Sequence, residues 1–198
     1  MTKVVGITGG IGSGKTTLSE HLKKTGFLVH ESDKVVSDMY KKPKKSFKNF
    51  IKNNISEKAV KKNKINKKEI ADIVFNNTKI RTMFENYIHK KIQSSRKKFI
   101  QKNIKSKKNI IFVDIPLLLE NNLEKHFDLV ICIISSKKIR IKRVLKNKKF
   151  TKKILSKIFR AQTSDTERRK RSQIIINNNK SKKDFIFNAE KALMRIIK

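Results

Sequence analysis

The sequence predicts an α/β fold in which a five-stranded parallel sheet is flanked by helices. Short apolar runs alternate along the chain with longer segments whose apolar residues recur at helical spacing. The most complete run, residues 128–134, is apolar almost throughout, as expected for a strand that helices cover on both faces. A glycine-rich segment joins the first strand to the first helix, and this segment is the third observation that favours an α/β class.

The glycine-rich segment, residues 9–16, fits the phosphate-binding pattern G-x-x-x-x-G-K-[ST]. Residues 3–8 before it are rich in β-branched side chains, and Leu18 and Leu22 after it have helical spacing. Glycine suits this position because backbone N–H groups must approach phosphate oxygens closely. The alternative is a plain glycine-rich turn, but the order of strand, loop, Lys-Thr and helix favours phosphate binding.

Each residue type in this loop has an expected role. Lys15 is predicted to reach the β- and γ-phosphates of a nucleotide, and the Thr16 hydroxyl is predicted to ligate Mg²⁺. Thr17 is placed to bond the α-phosphate, where the helix N-terminus adds partial positive charge. The predicted ATP-binding set is Gly12, Ser13, Gly14, Lys15, Thr16 and Thr17.

The second predicted strand covers residues 26–30, and Asp33 follows it before helical spacing resumes at Val35. Ligands of open α/β sheets bind at the carboxyl ends of the strands. A carboxylate there can accept a proton from an attacking hydroxyl. Asp also suits the N-cap of the next helix, so the spacing leaves both roles open for Asp33.

Residues 41–108 predict a helical insertion, because Pro43 interrupts the chain and apolar residues then recur at helical intervals. Loops rich in Asn and Lys are expected around residues 53–66. His89 falls within the helical pattern, where a lone histidine is usually a surface or packing residue.

The third predicted strand, residues 109–114, ends in Asp114, and an acid after four apolar residues can hold Mg²⁺ directly or through water. The turn at Pro116 follows. The fourth strand, residues 128–134, contains Cys132, which its apolar neighbours predict to be a buried core residue and not a nucleophile.

Two basic helical segments, residues 137–145 and 154–160, are typical of a mobile lid over phosphate. Arg143 and Arg160 are candidates to clamp phosphates, because the guanidinium fork binds them in two-point fashion. Arg140 is expected to lie on a solvated face. A fifth strand at residues 172–176 and a last helix at about 184–197 complete the fold.

The 198 residues carry a formal net charge of +35. This charge favours a nucleic-acid partner, but the lysines are scattered along the chain among many Asn and Ile residues, which a strongly A/T-biased genome is enough to explain. Either way, the positive field should attract a polyanionic substrate. No signal peptide and no run of membrane-span length are found, so a cytoplasmic location is expected.

Several of these segments together resemble the dephospho-CoA kinase family. Asp33 matches the second acid of the Asp-x-Asp pattern of that family, and residues 116–120 resemble its Pro-Leu-Leu-x-Glu segment. Further similarity lies in residues 7–16, in Arg143, in the Arg-Ala-Gln of residues 160–162 and in residues 174–178 with their Asn turn.

The resemblance implies a P-loop NTPase fold with a helical substrate-binding insertion and a helical lid. The core is expected at 1–40, 109–135 and 172–198, the insertion at about 41–108 and the lid at about 136–171, in a single domain. The implied reaction is Mg²⁺-dependent transfer of the ATP γ-phosphate to the ribose 3′-hydroxyl of dephospho-CoA. Expected catalytic residues are Asp33, Lys15 and Arg143, and expected substrate-binding residues are Asp33, His89 and Arg160; the metal residues are Thr16 and Asp114.

The sequence departs from the family pattern at several positions. Glu31 replaces the first acid of Asp-x-Asp, Lys90 follows His89 where the family has Pro, and Asn147 stands where the lid often carries Arg. The acids expected before and within the last strand are also replaced. The alternatives are another small-molecule or nucleoside monophosphate kinase of this fold, and a nucleic-acid-binding NTPase. The expected state is a monomer or weak oligomer, with no membrane and no specific nucleic-acid partner.

Overall fold

A computed structural model describes residues 1–146 and 150–197 of the chain. The departure noted at Asn147 therefore lies outside the described residues. The chain divides into two compact units, Met1–Glu31 with Ile100–Lys198 and Ser32–Phe99, and each is described by itself.

The first unit is built on five parallel strands, which confirms the predicted fold class. The strands are β1 (Lys3–Gly9), β2 (Leu28–Glu31), β5 (Ile110–Asp114), β6 (Leu129–Ile134) and β7 (Ile174–Asn177). Their spatial order is β2-β5-β1-β6-β7. Because β1 lies at the centre of the sheet, the glycine-rich loop leaves the sheet between the carboxyl ends of β5 and β6.

Helices of the first unit cover the sheet, and their apolar sides form its core. They are α1 (Lys15–Lys24), α6 (Lys137–Lys146), α7 (Lys152–Ala161), α8 (Asp165–Lys170) and α9 (Lys182–Ile197), with a short 3-10 turn at Glu124–His126. Ile7 and Ile131 of the sheet pack with Leu18 of α1 and Phe185 of α9, all of them buried. The predicted burial of Cys132 is confirmed. This burial raises the pKa of its thiol to about 11.

The second unit is mainly helical. It contains α2 (Ser32–Lys41), α3 (Lys45–Asn54), β3 (Val60–Lys61), β4 (Lys64–Ile65), α4 (Lys67–Asn76) and the part of α5 (Thr78–Lys105) that ends at Phe99. Phe47, Ile51 and Ile70 are buried in its core. The rings of Phe50 and Tyr87 stack beside them with centroids 3.8 Å apart, which joins α3 to α5.

The loops expected at residues 53–66 instead contain the β3–β4 hairpin, so this expectation was incomplete. Lys62 and Asn63 form its tip with φ angles of 42° and 63°. Two consecutive residues at positive φ are the requirement of a tight two-residue hairpin turn, and Asn tolerates this conformation well. Strands of two residues, half of them lysine, are too short to show the alternation that identifies a strand.

Among the described helices, none is both long enough and apolar enough to cross a membrane.

Candidate active site

The loop between β1 and α1 depends on glycine at three positions. Gly9, Gly12 and Gly14 have φ angles of 150°, 73° and 115°. A Cβ on Gly9 would lie 2.6 Å from the Ile133 carbonyl oxygen, and one on Gly14 would lie 2.3 Å from Asn178 Nδ2. Both conformation and space therefore exclude side chains, and the backbone of the loop stays open to close approach by a ligand.

The residues after the loop form the first turn of α1. Lys15 is half-buried, and its Nζ donates a 2.8 Å hydrogen bond to the Gly9 carbonyl, so the ammonium folds back over the loop. Thr16 is exposed and Thr17 is half-buried. First-turn N–H groups have no partner within their own helix, which makes this helix start suited to anions.

Asp114 closes β5 and is buried beside α1. It is in register with Ile7 of β1 and Glu31 of β2. The Ser19 hydroxyl donates a 3.1 Å hydrogen bond to Asp114 Oδ2, and Ser19 lies one helical turn after Thr16. A hydroxyl and a carboxylate are oxygen donors that Mg²⁺ accepts, so the residues present fit this ion.

Within residues 1–146 and 150–197, no group of three or more His, Cys, Asp and Glu side chains is arranged to hold a metal. Mg²⁺ at kinase sites is bound by one or two protein oxygens together with substrate phosphates and water. A site with one hydroxyl and one carboxylate is therefore sufficient, and no larger cluster is needed.

Arg143 is connected to the phosphate-binding loop through Asn178. Arg143 Nη2 donates to Asn178 Oδ1 at 3.1 Å, and Asn178 Nδ2 donates to the Ser13 carbonyl at 2.7 Å. Arg143 Nη1 also donates to the Ser135 hydroxyl at 3.4 Å. One side chain thus links the predicted phosphate clamp on α6 to the loop itself. From the sequence, Asn178 is predictable only as part of the family's Asn turn.

The expectation that Arg140 lies on a solvated face is wrong. Arg140 is 6% exposed, its Nη2 lies 3.1 Å from Asp165 Oδ2, and its guanidinium lies 4.9 Å from the centre of the Phe159 ring. Burial lowers the pKa of Arg140, and the neighbouring Asp165 opposes that shift. Spacing within α6 could not reveal this because the partners come from α7 and α8.

Arg168 of α8 is a second functional candidate that sequence reasoning missed. It donates to Asp165 Oδ1 at 2.8 Å and to Glu120 Oε1 at 3.2 Å. Helix α8 was itself not predicted, although Ser164 and Glu167 carry the spacing of a capping box. The Ser164 hydroxyl accepts the Glu167 N–H at 3.2 Å, as that motif requires.

Gln162, between α7 and α8, contacts the loop directly. Its Oε1 accepts the Ile11 N–H at 3.0 Å. Arg160, two residues earlier, is exposed beside a cavity of about 530 Å³ between α6 and α7. Among the described residues, no hydrogen bond or ion pair joins Arg160 to the loop.

Asp33 and His89 belong to the second unit. Asp33 is the exposed second residue of α2, which begins at Ser32, so Asp33 does not occupy the N-cap position. It follows directly on Glu31 and Ser32 at the carboxyl end of β2. His89 is exposed within α5. Their roles toward a substrate stay predictions.

A glycine cradle, a lysine at the helix start and an acid closing the neighbouring strand together define a P-loop nucleotide-binding enzyme. The model of the family described as "Dephospho-CoA kinase" matches residues 3–184. The chain belongs to the dephospho-CoA kinase family.

Relatives of known sequence and structure agree with this membership. A dephospho-CoA kinase of Fusobacterium nucleatum is 33% identical over 189 residues, which cover 95% of each protein. The structure of a dephospho-CoA kinase from Campylobacter jejuni has a TM-score of 0.74 at 27% identity, covering 99% of this chain and 98% of that one. TT1252 from Thermus thermophilus shares the fold, with a TM-score of 0.77 at 23% identity, covering 100% of this chain and 98% of that one.

Proposed function

We propose that this enzyme transfers the γ-phosphoryl group of ATP to the ribose 3′-hydroxyl of dephospho-CoA, giving coenzyme A and ADP. The observation that carries this proposal is the family match over residues 3–184, which includes the phosphate-binding loop. The Pro-Leu-Leu-x-Glu segment at residues 116–120 argues against other kinases of this fold, which place different residues there.

Asp33 is proposed as the general base. Its carboxylate takes the proton of the ribose 3′-hydroxyl while the hydroxyl oxygen bonds to the γ-phosphorus, and the bond from that phosphorus to the bridging oxygen breaks to release ADP. Support comes from its exposed position just after β2 and from its match to the second acid of Asp-x-Asp.

The remaining roles concern charge on the phosphates. Lys15 and Arg143 are proposed to stabilise negative charge on the transferred group, and Thr16 and Asp114 to hold Mg²⁺, directly or through water. When bound, Mg²⁺ neutralises charge on the nucleotide phosphates. His89 and Arg160 are proposed to bind substrate, within an insertion at about 41–108 and a lid at about 136–171.

A substrate panel tests the proposal. Purified protein with ATP and Mg²⁺ is given dephospho-CoA, nucleoside monophosphates and small-molecule alcohols, and ADP release is followed with a coupled assay. Phosphate transfer to dephospho-CoA alone is the expected result, and mass spectrometry of the product should show one added phosphate on the ribose. Transfer to a nucleoside monophosphate with none to dephospho-CoA would replace this function with the first alternative.

The net charge of +35 keeps a nucleic-acid-dependent NTPase as the second candidate. RNA and DNA are therefore added to the same assay. ATP turnover that rises on their addition, without dephospho-CoA, would favour that candidate. We also propose a cytoplasmic location, where the lone thiol of Cys132 stays reduced.

A further inference from the structure

Two cationic side chains are buried in the described part of the chain, although the sequence contains 51 Lys and Arg residues. They are Arg140 and Arg168, which are 6% and 3% exposed. Both lie against the same glycine of the phosphate-binding loop: a Cβ on Gly10 would be 2.0 Å from Arg140 Nη1 and 3.1 Å from Arg168 Nη1. The abundance of lysine in this sequence does not explain this placement.

Burying a guanidinium is unfavourable unless opposite charge and hydrogen bonds replace water. The Asp165 carboxylate pairs with both arginines, at 3.1 Å from Arg140 Nη2 and 2.8 Å from Arg168 Nη1. Glu120 adds a second carboxylate for Arg168 at 3.2 Å, and the ring of Phe159 faces Arg140. The two positive charges are thus balanced by two carboxylates. Asp165 and Phe159 both contact the Arg140 guanidinium, whose buried Nε has no hydrogen-bond partner among the described residues.

Gly10 differs from the other glycines of the loop. Gly9, Gly12 and Gly14 have positive φ, whereas Gly10 does not, so no positive φ requires glycine at position 10. What demands glycine here is the space that Arg140 occupies. The guanidinium therefore lies against the loop backbone at Gly10, where no side chain intervenes.

We propose that Arg140, held by Asp165 and Phe159, is a positioning residue that sets the conformation of the phosphate-binding loop and thereby the affinity for ATP. The proposal rests on the assignment of this loop to ATP in the proposed function. Arg140 acts through the backbone of Gly10 and is not assigned a contact with the substrate.

The first experiment replaces Arg140 by Met, which keeps length but removes charge and the planar fork, and by Lys, which keeps charge only. We expect Arg140→Met to raise the Kd of MgATP, measured by calorimetry, by roughly 10- to 100-fold. Arg140→Lys should recover part of that loss, and the KM for dephospho-CoA should stay unchanged. The control is Arg195→Met, at an exposed position of α9.

The second experiment uses Gly10→Ala, alone and with Arg140→Met. The new Cβ must displace the guanidinium, so Gly10→Ala should weaken MgATP binding by a similar factor. Because both changes remove the same contact, the Kd of MgATP in the double variant should be no higher than in the weaker-binding single variant. If the increases in Kd of the two single variants multiply in the double variant, the proposal is overturned.

A purely structural role predicts a different pattern. Arg140→Met would then lower the melting temperature and the active fraction, with the Kd of MgATP at the wild-type value, and this result would also overturn the proposal. If Arg140→Met does not fold, the Asp165→Asn variant is measured instead. This variant keeps both arginines but removes the carboxylate that they share. Calorimetry with ATP alone separates the two proposals. If the wild-type protein binds MgATP and Arg140→Met weakens this binding as expected, but dephospho-CoA is not phosphorylated, only the proposed function is contradicted.

Discussion

Asp33 is the residue whose proposed role has the sharpest consequence for rate. Asp33→Asn keeps size and polarity but removes the ability to accept a proton. We expect kcat to fall by roughly 10²–10⁴, the usual loss when a general base is removed, with the Kd of MgATP nearly unchanged. Steady-state kinetics and calorimetry on the same preparation measure the two quantities.

Asp72→Asn provides the matched control, because Asp72 is an exposed acid on another helix of the same unit. It should leave both quantities at the wild-type value. Wild-type turnover in Asp33→Asn would return Asp33 to the general role of an acid in the first turn of α2, where it interacts with the helix dipole.

Asn178 is predicted to matter for both stability and nucleotide binding, since it joins Ser13 to Arg143. Asn178→Leu leaves the buried Ser13 carbonyl without this donor, which should cost roughly 1–3 kcal/mol of unfolding free energy. Because Arg143 also loses its hydrogen bond to Asn178 and keeps only the longer one to Ser135, kcat/KM for ATP should fall about tenfold. Denaturant titration and kinetics test the two effects.

Asn188→Leu, an exposed substitution on α9, should change neither the unfolding free energy nor kcat/KM. A drop in stability with normal kcat/KM in Asn178→Leu would mean that Arg143 keeps its position without Asn178.

Residues defined by a local pattern were predictable, and residues defined by tertiary partners were not. Lys15 and Thr16 follow from eight consecutive residues of the chain. Arg140 looks like any other cation of α6 until Asp165, 25 positions later, is brought beside it. Side-chain pairing between distant segments leaves no periodic signal, so the sequence could not separate the two buried arginines from the solvated ones.

At the scale of elements, the sheet was predictable because its strands are short and mostly apolar, and its three inner strands β1, β5 and β6 are buried on both faces. All five predicted strands appear, with ends shifted by no more than two residues. Helix α8 has six residues and was missed, since so short a helix shows less than two turns of periodicity. The β3–β4 hairpin was missed for the same reason of length.

Burial of Cys132 in β6 gives a prediction at this scale. Burial favours the neutral thiol and raises the pKa of Cys132 to about 11 in the folded state. This preference stabilises the fold fully at a pH below the pKa of the unfolded-state thiol, and the stabilisation is lost as the pH rises towards 11. At pH 8, we expect Ellman's reagent to modify no thiol in the native protein and one in urea. Rapid modification of the native protein would show that β6 opens readily.

At the scale of the whole molecule, the net charge of +35 should affect the capture of anionic substrates. Attraction beyond about 8–10 Å is screened at physiological salt. Between ~50 mM and ~500 mM KCl we expect kcat/KM for ATP and dephospho-CoA to fall about three- to tenfold, with kcat much less affected. Sucrose at matched osmolality is the control. A kcat/KM that does not depend on salt would show that the charge plays no part in substrate capture.

The loop near the start of the chain is held by residues made much later. The side chains of Gln162 and Asn178 form hydrogen bonds with the backbone of Ile11 and Ser13. Arg140 and Arg168 lie against Gly10. A ribosome that has synthesised only the first half of the polypeptide has therefore produced the phosphate-binding loop without these four later residues. Nucleotide binding should be a late event in biosynthesis, and nascent chains stalled before the end of β7 should not bind ATP.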